Sequence, residues 1–447
     1  MQVDSSIFKT YDIRGVVGDN LSTEIMRAIG QAYATYLKPK RVVTGRDVRV
    51  SGPELQAALI DGIRSLGVAV VDIGVVTTDA LYFAVGKYGY DGGAMVTASH
   101  NPPQWNGVKF TREQAIPLFG DQGIKQIGDI VAADGFAKQA ARPGTLTNFD
   151  IQPAYVEQVL SFGTFMSARK LKVVIDPGNG TVSRFLPDVM ARLPFAWSAI
   201  NMEPDGTFPG RNPNPLAPGA LDGLKSAVLS AKADVGVAFD ADADRMFFTD
   251  EHGQRVLGDA MTALLAKHFL KLYPGSAIVY NLICSHMVPE EITKAGGQPI
   301  RSAVGHAYMK PAMRQHDAPF GGEISGHFFF RDHYYADSGL DAMVAGLDFL
   351  SGQDKPLSEL VRAIDIYAHD AEVNSKVDDI SGTIAKIKAV YATGAPDETD
   401  GLTVEYPTWW FNVRPSNTEP LLRLTVEAKT KEEMVARREE LLKLIRE

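Results

Sequence analysis

The strongest constraint on the fold is a repeated alternation. Short apolar runs end abruptly in polar turns and are separated by stretches with helical spacing. Ile25, Ile29, Ala32, Tyr33 and Tyr36 fall on one helical face, and Pro39 stops that helix. Arg41-Val-Val-Thr44 then reads as a short buried strand ending at Gly45-Arg46-Asp47. Leu55, Leu59, Ile63 and Leu66 return to helical spacing after Gly52-Pro53, Gly67 caps the end, and a strand follows over 68–73. Gly93-Ala-Met-Val96 is the next strand and runs into Thr97-Ala-Ser-His-Asn-Pro102. The pattern recurs at 171–175, which ends in Asp176-Pro-Gly-Asn-Gly180, at 234–239, which ends at Asp240, and at 277–280. Strands alternating with helices imply an α/β chain whose sheets are covered on both faces.

The last stretch differs. Trp409-Trp-Phe-Asn-Val413 and Leu421-Leu-Arg-Leu-Thr-Val426 read as strands, and Thr430-Lys-Glu-Glu433 is a capping box opening a helix whose Leu441, Leu442 and Ile445 pack inward. The expected units are therefore α/β domains at 1–145, 146–253 and 254–366, and a smaller α+β domain at 367–447. At roughly 150 residues per domain, 447 residues suggest about three, and the small last unit makes a fourth.

Composition excludes several function classes. With 45 Lys+Arg against 54 Asp+Glu the net charge is −9, which disfavours nucleic acid as a partner but allows a local basic pocket for a small anion. The single cysteine, Cys284, excludes an internal disulfide and a Cys-based zinc cluster and suits a reducing cytosol. The first ten residues lack the basic start and apolar core of a signal peptide, and no apolar run approaches the ~18 residues that span a bilayer. A cytoplasmic protein without membrane contact is expected.

Four segments carry chemistry. Asp240-Ala-Asp242-Ala-Asp244-Arg245 places three carboxylates at alternate positions directly after an apolar strand, an oxygen-rich site for Mg²⁺ or Ca²⁺. Without a cation, their mutual repulsion would raise their pKa values and disfavour the loop. An EF-hand fails at loop position 6, where Arg245 replaces the turn glycine; Mg²⁺ is favoured, with room for a phosphate oxygen as a further ligand. Ser99 stands at a strand-to-turn junction, where a serine can be a nucleophile or phosphate carrier. Ser99 and His100 are adjacent and need not face each other, so they are not read as a catalytic pair. Lys109 is either a surface charge or an acid/base tuned by burial.

Gly321-Gly-Glu323-Ile-Ser325-Gly-His327 suits a loop pressed against a polyhydroxylated ligand, and equally a turn with a buried, satisfied histidine. Arg414-Pro-Ser416-Asn417-Thr418, with Arg423 beyond, gathers a guanidinium, hydroxyls and an amide into a plausible phosphate cradle, though a plain hairpin turn has the same composition. Tyr11-Asp-Ile-Arg14-Gly15 adds another arginine beside a glycine turn, and Thr44-Gly-Arg46-Asp47 a further one. Together these segments fit the movement of a phosphoryl group on a sugar phosphate.

In order and spacing they resemble the α-D-phosphohexomutase family, most closely its bacterial phosphomannomutase/phosphoglucomutase branch, over essentially the whole chain. The resemblance implies four domains around a central cleft, three related α/β units and a C-terminal unit like the TATA-binding protein fold. It implies that Ser99 is the phosphorylated serine and that Asp240, Asp242 and Asp244 hold one Mg²⁺ with a phosphoserine oxygen from Ser99. It further implies that Glu323 and Ser325 bind sugar hydroxyls, and that Arg414, Ser416, Asn417 and Thr418 bind the non-reacting phosphate. Lys109 becomes the acid/base candidate, Arg245, Arg14 and His327 stabilise charge or assist proton transfer, and Tyr11 and His306 line the cleft. Relatives often carry a basic residue where this chain has Ile283, so no cation carries over there, and Lys310 or His286 would have to compensate.

The activity implied is reversible phosphoryl transfer between the 1- and 6-positions of glucose and/or mannose phosphates, through phosphoserine and a hexose 1,6-bisphosphate, with glucose 1,6-bisphosphate as activator. The expected partners are hexose phosphates alone, acting on a monomer. A phosphoglucosamine mutase is the nearest rival, but its serine motif commonly begins Ser-Ala-Ser rather than Thr-Ala-Ser. A metal-dependent sugar phosphatase and a non-catalytic sugar-phosphate-binding protein are the more distant ones.

Overall fold

The computed structural model of the protein describes residues 3–165, 169–369, 372–416 and 421–447. The chain forms two compact units, Met1–Leu257 with Ser325–Ser358, and Gly258–Ile324 with Glu359–Glu447.

In the first unit, strands β1 (Ile13–Val16), β2 (Arg41–Arg46), β3 (Ala69–Val75), β4 (Gly92–Val96), β5 (Trp105–Arg112) and β6 (Leu146–Asn148) make a six-stranded sheet in the order β1-β5-β4-β2-β3-β6. The pairs of β2 with β3 and β4, and of β3 with β6, are parallel; β5 runs antiparallel to β4 and β1. The helix Thr23–Leu37 starts where the Ser22 side chain accepts from the Ile25 N–H, and ends where Lys38 turns left-handed at φ 52°. It lies against the helix Gly52–Ser65 at very close range. A Cβ on Gly30 would strike the Leu59 carbonyl, and one on Gly62 the Arg27 carbonyl.

The second sheet has the order β10-β9-β7-β8, from β7 (Lys172–Asp176), β8 (Ala196–Ala199), β9 (Val235–Phe239) and β10 (Met246–Thr249). Here too the parallel strands are followed by an antiparallel return, β9 to β10. In the second unit β11 (Ala277–Asn281) pairs in parallel with β12 (Gln298–Ser302) and β13 (Phe320–Gly322). The segment Ser325–Ser358, folded with the first unit, contains the antiparallel pair β14 (Phe328–Phe330) and β15 (Ala336–Asp337) and the helix Gly339–Ser351.

The C-terminal sheet runs β16 (Ala368–His369), β21 (Leu421–Ala428), β20 (Trp409–Pro415), β19 (Leu402–Glu405) and β18 (Ala395–Asp397), and β17 (Val373–Lys376) also pairs with β21. The terminal helix Lys431–Arg446 is capped at Thr430, whose hydroxyl accepts from the Glu433 N–H at 3.2 Å, and it buries Leu441 and Ile445. Glu433 accepts from the Thr408 hydroxyl. No helix among the described residues is long and apolar enough to cross a membrane.

The placement of the loops matters most for function. β4 leads into Ser99, β9 into Asp240 and β13 into Glu323, each at the carboxyl end of a strand that has a parallel neighbour. That end is where open α/β sheets leave room for ligands.

Candidate functional site

Beyond β4, Ser99 takes a left-handed conformation at φ 48°, unusual for a residue with a side chain. Two sets of bonds hold it there. The Ser99 N–H donates to Thr97 Oγ1 at 2.9 Å, and the Ser99 carbonyl accepts from Arg49 Nη2 at 2.6 Å. Its buried hydroxyl points at Asp240 Oδ2, 3.1 Å away, and at His100 Nδ1, 3.2 Å away. Serine and histidine therefore do meet, against the expectation that they need not face each other. Burial, then the Arg245 and Arg14 cations, hold His100 well below the ordinary imidazole value.

The three aspartates are buried, and one oxygen from each lies within 4.8 Å of the others. Burial first, then Asp244, raises Asp240 to about 7, with Arg245 opposing. Arg245 donates to Asp240 through Nε at 3.0 Å and its backbone N–H at 3.2 Å. Burial would raise Asp244 as well, but Lys109 and then His327 pull it well below the usual carboxylate range. Asp242 Oδ2 accepts from Thr78 Oγ1 at 2.6 Å and from Lys109 Nζ at 2.8 Å. Lys109, on β5, also pairs with Asp244; burial works against its charge, but the two aspartates outweigh burial and hold the ammonium well above its ordinary value. Asp242 Oδ1 and Asp244 Oδ1 are buried and without a hydrogen-bond partner among the described residues. Bare, hard, converging oxygens beside the Ser99 hydroxyl fit a Mg²⁺ ion.

Arg14 is oriented by both oxygens of Asp12, its Nε donating to Oδ1 at 3.0 Å and its Nη2 to Oδ2 at 2.7 Å, and it donates to Asn101 Oδ1 at 2.5 Å beside the serine loop. His327 forms an isolated bridge with Arg245, and its Nδ1 lies 2.9 Å from Asp337 Oδ2. Asp244, His327 and Asp337 form a second converging group. The structure thus brings together Ser99, Lys109, Arg14, Arg245, His327 and the aspartate triplet. Tyr11, just ahead of β1, is half-buried, as is Ser325 in the same unit.

In the second unit Glu323 is buried and accepts at one oxygen from the Gly305 N–H at 2.9 Å and from Asn281 Nδ2 at 3.1 Å. Gly305, at φ 124°, opens the helix His306–His316, so His306 stands beside the Glu323 contact and Lys310 one turn further along the same face. His286 stacks on Trp410 at 5.5 Å, and Ile283 is buried. Arg414 is buried near the end of β20 and donates to Glu372 Oε2 at 2.6 Å; Arg423 donates to Glu372 Oε1 at 3.1 Å and to Ser416 Oγ at 3.0 Å. Asn417 and Thr418 lie outside the described residues.

Four participants escaped the sequence reading: Arg49, Thr78, Asp337 and Glu372. Only Arg49 had a local signal, two residues beyond the turn that ends at Asp47.

Four family models, described as phosphoglucomutase/phosphomannomutase alpha/beta/alpha domains I, II and III and C-terminal domain, match residues 5–138, 153–253, 257–367 and 372–444. A phosphomannomutase of Salmonella montevideo is 41% identical over 451 residues, covering 98% of each chain. A protein of Xanthomonas campestris pv. campestris described as phosphohexose mutases is 40% identical over 94% of this chain and 95% of its own. A solved phosphoglucomutase/phosphomannomutase family protein of Burkholderia thailandensis superposes with a TM-score of 0.91 at 32% identity, covering 99% of this chain and 97% of that one.

Proposed function

Because the chain belongs to the phosphoglucomutase/phosphomannomutase family, whose members are mutases acting on hexose phosphates, we propose that it interconverts the 1- and 6-phosphates of glucose and/or mannose through a phosphoserine at Ser99. The observation that carries this reading is the setting of Ser99. A buried hydroxyl on a strained turn lies 3.1 Å from Asp240, one of three clustered carboxylates, and its loop is held by Arg14 and Arg49.

In this reading the Ser99 phosphoryl group passes to the free 6-hydroxyl of a hexose 1-phosphate. The P–O bond to Ser99 breaks as the bond to the sugar oxygen forms, and the hydroxyl proton leaves to a nearby base. The 1,6-bisphosphate turns round, and its 1-phosphoryl group returns to Ser99 Oγ, leaving hexose 6-phosphate. Glucose 1,6-bisphosphate would reload a chain that has lost its phosphate. Asp240, Asp242, Asp244 and the Ser99 phosphoryl oxygen would hold Mg²⁺, which when bound neutralises charge on the transferring group. Lys109, kept cationic by its carboxylates, and Arg245 and Arg14 add fixed positive charge at the same place. Lys109, expected from the sequence as the acid/base, stays charged between its aspartates, so we assign proton transfer instead to His327, beside Asp337, and to neutral His100. We assign Tyr11 and His306 to the lining of the substrate site, Glu323 and Ser325 to the sugar hydroxyls, and Arg414, Ser416, Asn417 and Thr418 to the non-reacting phosphate.

The test is Ser99→Ala. Steady conversion of hexose 1-phosphate should vanish, and the intact mass should no longer carry the added phosphate, while sugar-phosphate binding persists. Wild-type turnover in this variant would remove Ser99 from the mechanism. The same coupled assay run with glucose, mannose and glucosamine 1-phosphates assigns the sugar.

A further inference from the structure

We propose that Glu372 is a built-in competitor for phosphate, occupying the guanidinium edges of Arg414 and Arg423 and setting how tightly that clamp holds a phosphate monoester. This rests on the assignment of Arg414 to the substrate's non-reacting phosphate. Topology creates the need for such a group. Arg414 and Arg423 are direct partners across the β20–β21 ladder, and two like charges facing each other are unfavourable unless an anion lies between them. The ladder also supplies that anion. β17 pairs with β21 so that Asn374 lies opposite Arg423, which brings Glu372, two residues earlier, to the same edge.

The carboxylate then bridges the two cations. Oε2 takes Arg414 Nη2 at 2.6 Å, and Oε1 takes Arg423 Nη1 at 3.1 Å. Two oxygens each engaging one guanidinium is also the way a phosphate would sit there. The Arg414 side chain is only 3% exposed, whereas those of Glu372 and Arg423 are 21% and 26% exposed, so the bridge is reachable from solvent. Arg414 Nε and Arg423 Nε are buried and keep an uncommitted donor among the described residues.

With Glu372 in place, two guanidinium groups and one carboxylate present a net charge of about +1 to a phosphate dianion, against about +2 without it. A clamp that must release one phosphate of a bisphosphate and take the other is served by the weaker hold. Glu372 touches no reacting atom; it is a positioning residue that acts through the two arginines.

The experiment titrates the full-length chain with inorganic phosphate by calorimetry and follows KM and kcat with hexose 1-phosphate. Arg414→Ala reports how much of the binding belongs to the clamp. Glu372→Gln, which keeps the shape and removes the charge, should tighten phosphate binding by about fivefold and lower KM without raising kcat, the scale of one partly screened charge interaction. Glu372→Asp, which keeps the charge, should stay near wild type. Loss of a mere support cannot produce tighter binding. If Glu372→Gln leaves binding unchanged or weakens it while Arg414→Ala abolishes it, the competitor role is wrong and the clamp stands. If Arg414→Ala changes nothing, the clamp assignment fails and this proposal falls with it.

Discussion

Arg49 uses its whole guanidinium on one loop. Nε reaches Asp47 Oδ2 at 3.1 Å, Nη1 the carbonyls of Pro102 at 2.8 Å and Trp105 at 3.0 Å, and Nη2 those of Ser99 at 2.6 Å and Asn101 at 2.7 Å. A planar fork of five donors can satisfy four carbonyls of a curved loop; an ammonium cannot. Arg49→Lys keeps the charge and loses the geometry. With Ser99 no longer pinned at its positive φ, kcat should fall by about a hundredfold, the usual cost of a small misplacement, with KM nearly unchanged. Steady-state kinetics decide it, and an unaltered kcat would show that the loop holds its own shape. Ser99, Lys109 and the aspartate triplet drew notice in sequence because each follows or lies in an apolar strand within a short polar motif, although their contacts with one another span 133 and 141 positions. Arg49 and Thr78 did not, because neither belongs to a dense polar motif and their partners, 50 and 164 positions away, show only in the fold. The meeting of Ser99 with His100 escaped for a different reason, since it depends on a left-handed turn that no residue type there demands.

Among the elements, β4, β9 and β11 are buried at every residue and were legible as short, mostly apolar runs. Edge strands such as β12, with Gln298, Pro299 and Arg301 in its five residues, carry no such run and show up only through their pairing. The contact between the first two helices was equally silent, because a glycine in a helix can be a weakness or a fit. Gly62→Ala separates the two possibilities. Helix propensity favours alanine by about 1 kcal/mol, but its methyl group would press on the backbone of Arg27, where overpacking costs roughly 1–3 kcal/mol and a carbonyl cannot turn aside. The clash should win, lowering the urea midpoint of the variant; a rise in the midpoint would mean that the helices can part freely.

Across the first unit, widely separated segments meet in a buried polar knot. Asp79 Oδ2 accepts from Tyr155 at 2.6 Å and from Ser338 at 2.5 Å, while His333 sits between the Asp79 carbonyl at 2.9 Å and Asp341 Oδ2 at 2.5 Å. Burial opposes charge on His333, but Asp341 and then Asp79 more than compensate and raise it to about 9. The sign follows from proton counting. Between the unfolded value near 6.5 and about 9, the folded chain holds a proton that the unfolded chain has lost, so stability falls as pH rises through that window. The contribution is fully present below about pH 6.5 and gone above about pH 9, and its upper size is of the order of 3 kcal/mol. Removing the cation altogether leaves Asp79 and Asp341 buried against each other, so His333→Gln should be less stable than wild type at pH 7. The variant should also be flatter in its pH dependence, because the group that titrates is missing. Urea denaturation at pH 6.5, 8 and 9.5 therefore gives two curves that converge as pH rises. If they stay parallel, the proton is not held at His333, and the knot that ties residues 79, 155, 333 and 341 together owes its strength to neutral hydrogen bonds instead.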